Sequence, residues 1–390
     1  MDYTPDSRPN SAGQPMGNPP QGNNPAFRGQ PQSPAEIYNA NVNTNGPQYH
    51  YGTHQGFFDP RYIEQQRQKM LERSKHEKKL RMLGTNTGFT LLIVLAFSFI
   101  FSLSLYLPGL YELYETNLTF ASAFGILYSA ISVGLAFFIG SFLFKRSKDF
   151  KNTTYNPPKD KTKAFLLILI GFGGCLVSNY ITVFFRAFME GMGIYSDYNA
   201  LQDPSSTLDV VMIFIGTAIV PPLFEEFALR GVLMQNLRKY GDGFAILTSA
   251  FAFGIFHGNI VQMPFAFLCG LFIGYAVIAT ESLWTGIIIH ALMNAMSAVS
   301  SGLIYYFDEY ASNTFFYVAS AIGIVLGVIA FIAYIARYKP KDSLKDNTPS
   351  NTISLGEKFV KFNTSPIMVI AVIIYIINAI TQLTTTPPTY

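Results

Sequence analysis

Charged residues are scarce in this sequence. Of its 390 residues, only 13% are Asp, Glu, Lys or Arg, whereas 49% are hydrophobic. A soluble domain carries about 25% charged residues, so this chain has too few charges to cover a surface that faces water. Its apolar residues also occur in blocks of about twenty, the length that spans a bilayer core about 30 Å thick. Composition therefore excludes an ordinary soluble enzyme and a fully disordered protein, and it predicts an integral membrane protein.

Cysteine and net charge are also low. The two cysteines, Cys175 and Cys269, lie inside apolar blocks and form no C-x-x-C pair, which argues against a disulfide framework or a thiolate zinc site. A net charge of +3 is too small to indicate a nucleic-acid partner. The first residues lack a basic stretch followed by an apolar one, so we expect no cleaved signal peptide and insertion directed by the first membrane span.

The N-terminal part differs in composition from the rest. Residues 1–60 contain ten of the 22 prolines and are rich in Gly, Asn and Gln, so we predict a disordered cytoplasmic tail whose partner is unknown. Residues 61–82 carry eight Lys and Arg side chains with glutamates between them. We predict a basic juxtamembrane helix there, attracted to anionic lipid by about 1 kcal/mol per charge near the surface.

The apolar blocks predict an all-α polytopic transmembrane bundle of eight to nine spans. Small-residue pairs, Gly270-x-x-x-Gly274 and Gly323-x-x-x-Gly327, suit close packing between such helices. We divide the membrane region into N-terminal helices over 87–200, a catalytic core over 205–300 and C-terminal helices over 301–390. The predicted spans are about 87–107, 120–144, 164–185, 208–230, 244–257, 260–280, 283–303, 315–336 and 367–384.

The basic residues predict the orientation of these spans. With nine spans, successive loops lie on alternate sides of the membrane. The segments on the side of the basic helix then contain 24 Lys and Arg residues, and the loops on the other side contain only Arg186. Because basic loops stay in the cytoplasm, the N-terminus is predicted to be cytoplasmic. We expect the plasma membrane to be the location of the protein, with membrane lipid as its surroundings.

Ionisable and amide side chains cluster in three of the spans, where such groups are costly and therefore indicate function. The first cluster is Glu225-Glu226-x-x-x-Arg230, in which Glu226 and Arg230 share a helix face. The second is Phe253-x-x-x-His257, and the third is His290-x-x-x-Asn294. Counted from the turns Gly241 and Glu281 at 1.5 Å per residue, Glu225 and His257 lie about 24 Å deep and His290 about 13 Å deep. Helix tilt, or a turn that stands clear of the membrane, must absorb this difference.

These residue types suit the activation of a water molecule. A buried carboxylate close to a second carboxylate can take a proton from water near neutral pH. His257 can share that proton, and His290 and Asn294 can donate hydrogen bonds to a developing oxyanion. Glu225, His257 and His290 could equally ligate a divalent metal such as zinc, so the sequence leaves a metal-free site and a zinc site both open.

The three motifs, in this order and on separate spans, resemble the CPBP intramembrane proteases, the group of the type II CAAX prenyl endopeptidases and the bacterial Abi proteins. The family pattern is E-E-x-x-x-R, then F-x-x-x-H, then H-x-x-x-N or D, and the resemblance covers about residues 205–300. It implies a membrane bundle of about eight helices with a cavity open to the cytoplasm. Both metal-dependent and metal-free mechanisms have been described for the family.

The resemblance also implies a role for each motif residue. Glu225 would activate the water together with His257, and His290 with Asn294 would stabilise the oxyanion. Glu226 and Arg230 would support the site, as would the motif residue Phe253.

From the sequence we therefore predict an intramembrane endopeptidase that cleaves a membrane-associated peptide or protein. The sequence indicates no certain cofactor and leaves a divalent metal such as zinc open. One alternative is a catalytically silent family member that acts as a scaffold or bacteriocin-immunity protein. Another is a proton-coupled transporter that uses the carboxylates as a proton site, although the absence of an internal repeat counts against it.

Overall fold

A computed structural model describes residues 60–144, 156–196, 203–338, 344 and 353–385. The chain divides into two units, residues 1–68 and residues 69–390. In the first unit the described residues 60–68 form the start of a helix, and Glu64 there pairs with Arg67 and Gln68 on the exposed helix surface. The predicted disordered tail, apart from residue 60, lies outside the described residues.

The described part of the chain is almost entirely helical, as the sequence predicts. Two short strands, Tyr195–Ser196 (β1) and Leu383–Thr384 (β2), pair antiparallel and join the segments that follow α4 and α11. The helices are α1 Pro60–Leu103, α2 Leu110–Thr116, α3 Leu118–Ser141, α4 Lys161–Gly191, α5 Thr207–Tyr240, α6 Asp242–Phe256, α7 Gln262–Thr280, α8 Leu283–Tyr306, α9 Glu309–Arg337, α10 Leu355–Asn363 and α11 Pro366–Thr381.

All nine predicted spans are helical in the structure. Among the described residues, seven helices are long and apolar enough to cross a bilayer, or eight if the bent pair α10 and α11 counts as one span. The fifth predicted span corresponds to α6, which has only 15 residues. The basic helix and the first span, predicted as separate elements, form the single helix α1 of 44 residues. The protein is therefore a multi-pass α-helical membrane protein.

Helices α5 and α6 form a tight hairpin. Helix α5 runs on beyond the predicted span to Tyr240 and α6 begins at Asp242, so Gly241 alone forms the turn. Its φ of 110° lies in a region that only glycine adopts readily. Helix α5 contains π-helical turns at Ile215–Ile219 and Phe227–Met234, on either side of the two glutamates.

Both predicted small-residue pairs lie at close helix contacts. A Cβ added to Gly173 of α4 would lie 3.0 Å from the carbonyl oxygen of Gly323 and 3.1 Å from the Cα of Gly327, both on α9. A Cβ added to Gly270 of α7 would lie 2.9 Å from the Cα of Ala250 on α6. At each contact one backbone lies directly against another, which only small residues permit.

Helix α10 was not predicted from the sequence, where it was counted as part of a basic loop. It begins with a capping box, since Ser354 accepts from the amide of Glu357 and the Glu357 carboxylate accepts from the amide of Ser354. Its charged side chains hold it in place, because Glu357 pairs with Arg73 and Lys361 pairs with Glu77 on α1. The buried Lys358 ammonium also donates to the carbonyl of Tyr240, at the end of α5.

A hydrogen bond connects the start of α4 with the end of α9. Asp160, which caps α4, accepts hydrogen bonds from the amide of Lys163 and the hydroxyl of Tyr338, each at 2.8 Å. These bonds favour the charged carboxylate and lower the pKa of Asp160, with the Lys163 amide as the main cause.

We predict that Gly173→Leu destabilises the protein, because its side chain must push the backbones of α4 and α9 apart. Overpacking of this kind costs about 1–3 kcal/mol or more. Gly125→Leu on α3 is the matched control, since a Cβ there meets no atom within 4 Å. Thermal unfolding in detergent measures both variants, and equal unfolding temperatures for the two would contradict the close α4–α9 contact.

Candidate active site

The three motifs meet at one cavity of about 220 Å³. Its walls include the four predicted catalytic residues Glu225, His257, His290 and Asn294, together with Phe253. The glutamate comes from α5, His257 follows the last residue of α6, and His290 and Asn294 come from α8. The structure brings the side chains of His290 and Glu225 to within 3.8 Å, so the fold absorbs the difference between their counted depths.

Glu226 and Arg230 form an ion pair in the protein interior. Both side chains are fully buried, and Arg230 Nη1 donates to Glu226 Oε1 at 2.8 Å. Arg230 Nη2 donates to the carbonyl of Gly270 on α7 at 3.3 Å. The close approach of α8 depends on Gly286, where an added Cβ would lie 3.1 Å from Glu226 Oε2. Neither charged residue lines the cavity.

His290 lies between the two glutamates. Its Nδ1 is 3.0 Å from Glu226 Oε1, and its Nε2 is 3.8 Å from Glu225 Oε2. A carboxylate only accepts, so Nδ1 carries a proton when Glu226 is ionised, and Nε2 then carries one only in the imidazolium form. His290 can therefore donate to an oxyanion through Nε2 only as an imidazolium.

Phe253 contacts one ionisable residue from each of the three motifs. The Arg230 guanidinium lies 4.6 Å from its ring centroid, and the rings of His257 and His290 lie edge-on at 4.8 and 5.5 Å. The Phe253 carbonyl also accepts from His257 Nδ1 at 2.8 Å. Because that bond fixes the proton on Nδ1, neutral His257 has its free lone pair on Nε2.

Asn294 compensates for the two prolines of α5. In a regular helix the carbonyl of Thr217 would accept from residue 221, and in a π-helical turn from residue 222, but both residues are proline and have no N–H. Asn294 Nδ2 donates to this carbonyl instead, at 3.0 Å. One amide hydrogen of Asn294 is therefore committed to the backbone, and both Asn294 and Thr217 line the cavity.

The segment that follows His257 is anchored by residues outside the motifs. Asn259 Nδ2 donates to Gln382 Oε1 at 2.9 Å and to Ser196 Oγ at 3.3 Å, while Asn259 Oδ1 accepts from the amide of Val261 at 2.9 Å. Gln382 Nε2 in turn donates to the Gly258 carbonyl at 3.0 Å. The sequence analysis missed Gln382, because only the fold brings residues 196, 259 and 382 together.

The predicted metal ligands do not form a compact group. Among the residues that the structure describes, no three His, Cys, Asp or Glu side chains form a group that could hold a metal ion. In the predicted set of Glu225, His257 and His290, both imidazoles are bonded within the protein through Nδ1, so Nε2 is the ring nitrogen that each could offer to a ligand. No step of the reaction proposed below uses a metal.

The part of the helical membrane region that carries the three motifs is similar to known membrane proteases. Residues 207–296, which include all three motifs, match the family described as type II CAAX prenyl endopeptidase Rce1-like. This match confirms the resemblance to the CPBP proteases.

Among curated proteins, the chain is similar to the "Putative membrane peptidase YdiL" of Bacillus subtilis (strain 168), with 27% identity over 155 residues. The alignment covers 38% of this chain and 62% of that relative. No solved structure matches the chain. These relatives support a membrane protease family for this protein.

We predict that Arg230→Met destabilises the protein strongly. Removing one partner of a buried ion pair leaves an uncompensated charge and costs about 3–5 kcal/mol. Arg186→Met is the control, because Arg186 and Glu190 also form an i,i+4 pair but are 40% and 38% exposed, and such pairs contribute at most about 1 kcal/mol.

Thermal unfolding in detergent compares these two variants with the double variant Glu226→Gln/Arg230→Met, which we expect to recover part of the loss. A cost for Arg230→Met no greater than that for Arg186→Met would show that the buried pair does not hold the site together.

Proposed function

We propose that this protein is an intramembrane endopeptidase that hydrolyses a peptide bond in the cavity lined by Glu225, His257, His290 and Asn294. One observation carries the proposal: Glu225 lines the cavity that also holds the two imidazoles, and its buried Oε2 atom has no hydrogen-bond partner in the protein. A carboxylate oxygen without a partner is the acceptor that a nucleophilic water requires.

In the proposed reaction, Glu225 takes a proton from the water while the water oxygen attacks the carbonyl carbon of the peptide. His257 Nε2 accepts a second hydrogen bond from the same water and orients it. His290 Nε2 and the remaining amide hydrogen of Asn294 donate to the oxyanion. When the C–N bond breaks, Glu225 returns the proton to the leaving amine.

In this reaction Glu226 and Arg230 act from outside the cavity. Their ion pair fixes His290 through Glu226 Oε1, and Arg230 supports Phe253, which contacts both imidazoles. The substrate is a peptide or protein associated with the membrane. The excess of basic residues in the loops on one side of the spans supports a cytoplasmic N-terminus, and we propose the plasma membrane as the location.

We predict that Glu225→Gln lowers cleavage by about 10²–10⁴-fold, the usual contribution of a general base. Abundance should stay unchanged, because Gln has the same shape and the lost oxygen charge has no hydrogen-bond partner. Glu115→Gln on α2 makes the same chemical change at an exposed site and serves as the control. Proteomics of membrane-peptide termini in cells with each variant identifies the products.

Termini that disappear in Glu225→Gln cells and persist in Glu115→Gln cells support the endopeptidase. An unchanged set of termini, together with an unchanged cellular phenotype, favours a catalytically silent scaffold and rejects the proposal. Chelation tests the metal-free route with the purified enzyme. Activity should persist in EDTA, whereas activity that is lost in EDTA and restored by zinc would overturn the assignment of water activation to Glu225 alone.

A further inference from the structure

His257 also lines a second cavity, which we call the rear chamber. Its volume is about 450 Å³, and its walls come from α1, α3, α11 and the segment Phe256–Gly258. Three of these elements, α1, α3 and α11, lie outside the residues that match the protease family. His257 is thus a side chain shared between the catalytic cavity and a chamber built from the rest of the chain.

Hydroxyl groups line the rear chamber in an ordered way. Ser98 and Ser102 lie four residues apart on α1, and Tyr128 and Ser132 lie four residues apart on α3, so each pair shares a helix face. The Tyr128 hydroxyl donates to Ser98 Oγ at 2.9 Å and links the two helices. Polar groups inside membrane spans are costly unless they meet other polar groups or water.

Ser132 contributes a hydroxyl without a partner to the lining of the rear chamber. Its side chain is fully buried, and its Oγ has no hydrogen-bond partner in the protein. A hydroxyl can donate one hydrogen bond and accept two, and leaving it unpaired in an apolar interior is unfavourable. The chamber volume allows several water molecules, each of which occupies about 30 Å³ in the liquid.

The rear chamber extends from the protein surface to His257. At one end Phe99 is 66% exposed and Ile374 is 40% exposed, and the neighbouring Ser102 and Asn378 are exposed as well. Ser132 and His257 line the same chamber on its more buried side. Hydroxyl and amide groups therefore occur along the chamber from its exposed residues to the histidine.

We propose that the rear chamber takes water and delivers it to His257. The proposal rests on the proposed function, because each hydrolysis consumes one water: its oxygen bonds to the carbonyl carbon, the C–N bond breaks and a proton passes to the amine. A peptide that fills the smaller catalytic cavity would block water from that side. Water that arrives through the rear chamber reaches His257 without crossing the substrate.

Thiol labelling tests the chamber independently of catalysis. Ser132→Cys and Ser320→Cys are introduced separately into the full chain and exposed to a charged methanethiosulfonate reagent, which does not enter lipid. Ser320 on α9 is the matched control, because it is also fully buried with an unpartnered Oγ but does not line the chamber. Peptide mass spectrometry separates each new thiol from Cys175 and Cys269, and Ser98→Cys replaces Ser132→Cys if that variant fails to fold.

We expect the charged reagent to label Ser132→Cys about tenfold or more faster than Ser320→Cys, because thiol reaction requires water and the thiolate. Equal rates would overturn the proposal. Labelling of Ser132→Cys by a lipid-soluble maleimide but not by the charged reagent would also overturn it, since lipid would then occupy the chamber. The labelling result stands even if Glu225→Gln turns out to cleave normally, so the two proposals fail separately.

An activity measurement tests the delivery of water. Ser132→Val removes the chamber hydroxyl and should lower kcat about fivefold or more with little change in KM, because a slower supply of water affects the hydrolytic step rather than peptide binding. Ser320→Val is the control and should keep wild-type kcat. An unchanged kcat in Ser132→Val would overturn delivery through this chamber.

Discussion

A carboxylate in the apolar interior of a membrane protein must be compensated, and Glu226 meets this requirement with Arg230 and His290. Its Oε1 atom accepts from the arginine on its own helix and lies beside the histidine on α8. The arginine also reaches the backbone of α7 at Gly270. The buried ion pair thereby fixes three helices relative to one another. Removing one partner of a buried ion pair destabilises a protein far more than removing one partner of an exposed pair.

A second constraint comes from the backbone of α5. Two prolines leave the Thr217 carbonyl without either helical donor, and lipid offers no water to replace it. The Asn294 amide supplies the missing hydrogen bond. The third motif therefore stabilises the site in two ways. His290 contacts the two glutamates, and Asn294 donates to the carbonyl that the prolines leave unpaired. The prolines and the asparagine, which are distant in sequence, form one structural unit.

The sequence was sufficient for the local features of the fold and insufficient for the distances between helices. Apolar blocks and Gly241 predicted the spans and the α5–α6 hairpin, because both depend on nearby residues. Counting residues from the turns at Gly241 and Glu281 gives different depths for His290 and Glu225, and only the tilt and placement of the helices bring them level. The structure places the two side chains 3.8 Å apart.

Other features depended on tertiary contacts that no local pattern contains. Helix α10 is short and charged, and its position rests on ion pairs with α1. Gln382 reaches Asn259 only because α11 returns to the end of α6. The serines of α1 and α3 have helical spacing in the sequence, but the hydrogen bond between Tyr128 and Ser98 becomes evident only when the helices are placed together.

Adjacent glutamates in this site meet opposite requirements. Successive residues on a helix point about 100° apart, so Glu225 and Glu226 cannot share one environment. Glu226 contacts a fixed cation and is fully buried, whereas Glu225 lines the cavity and its Oε2 atom has no hydrogen-bond partner in the protein. In this pair of glutamates, Glu226 thus holds the helices together and Glu225 is the one proposed to transfer protons. The imidazole of His290 lies between the two carboxylates.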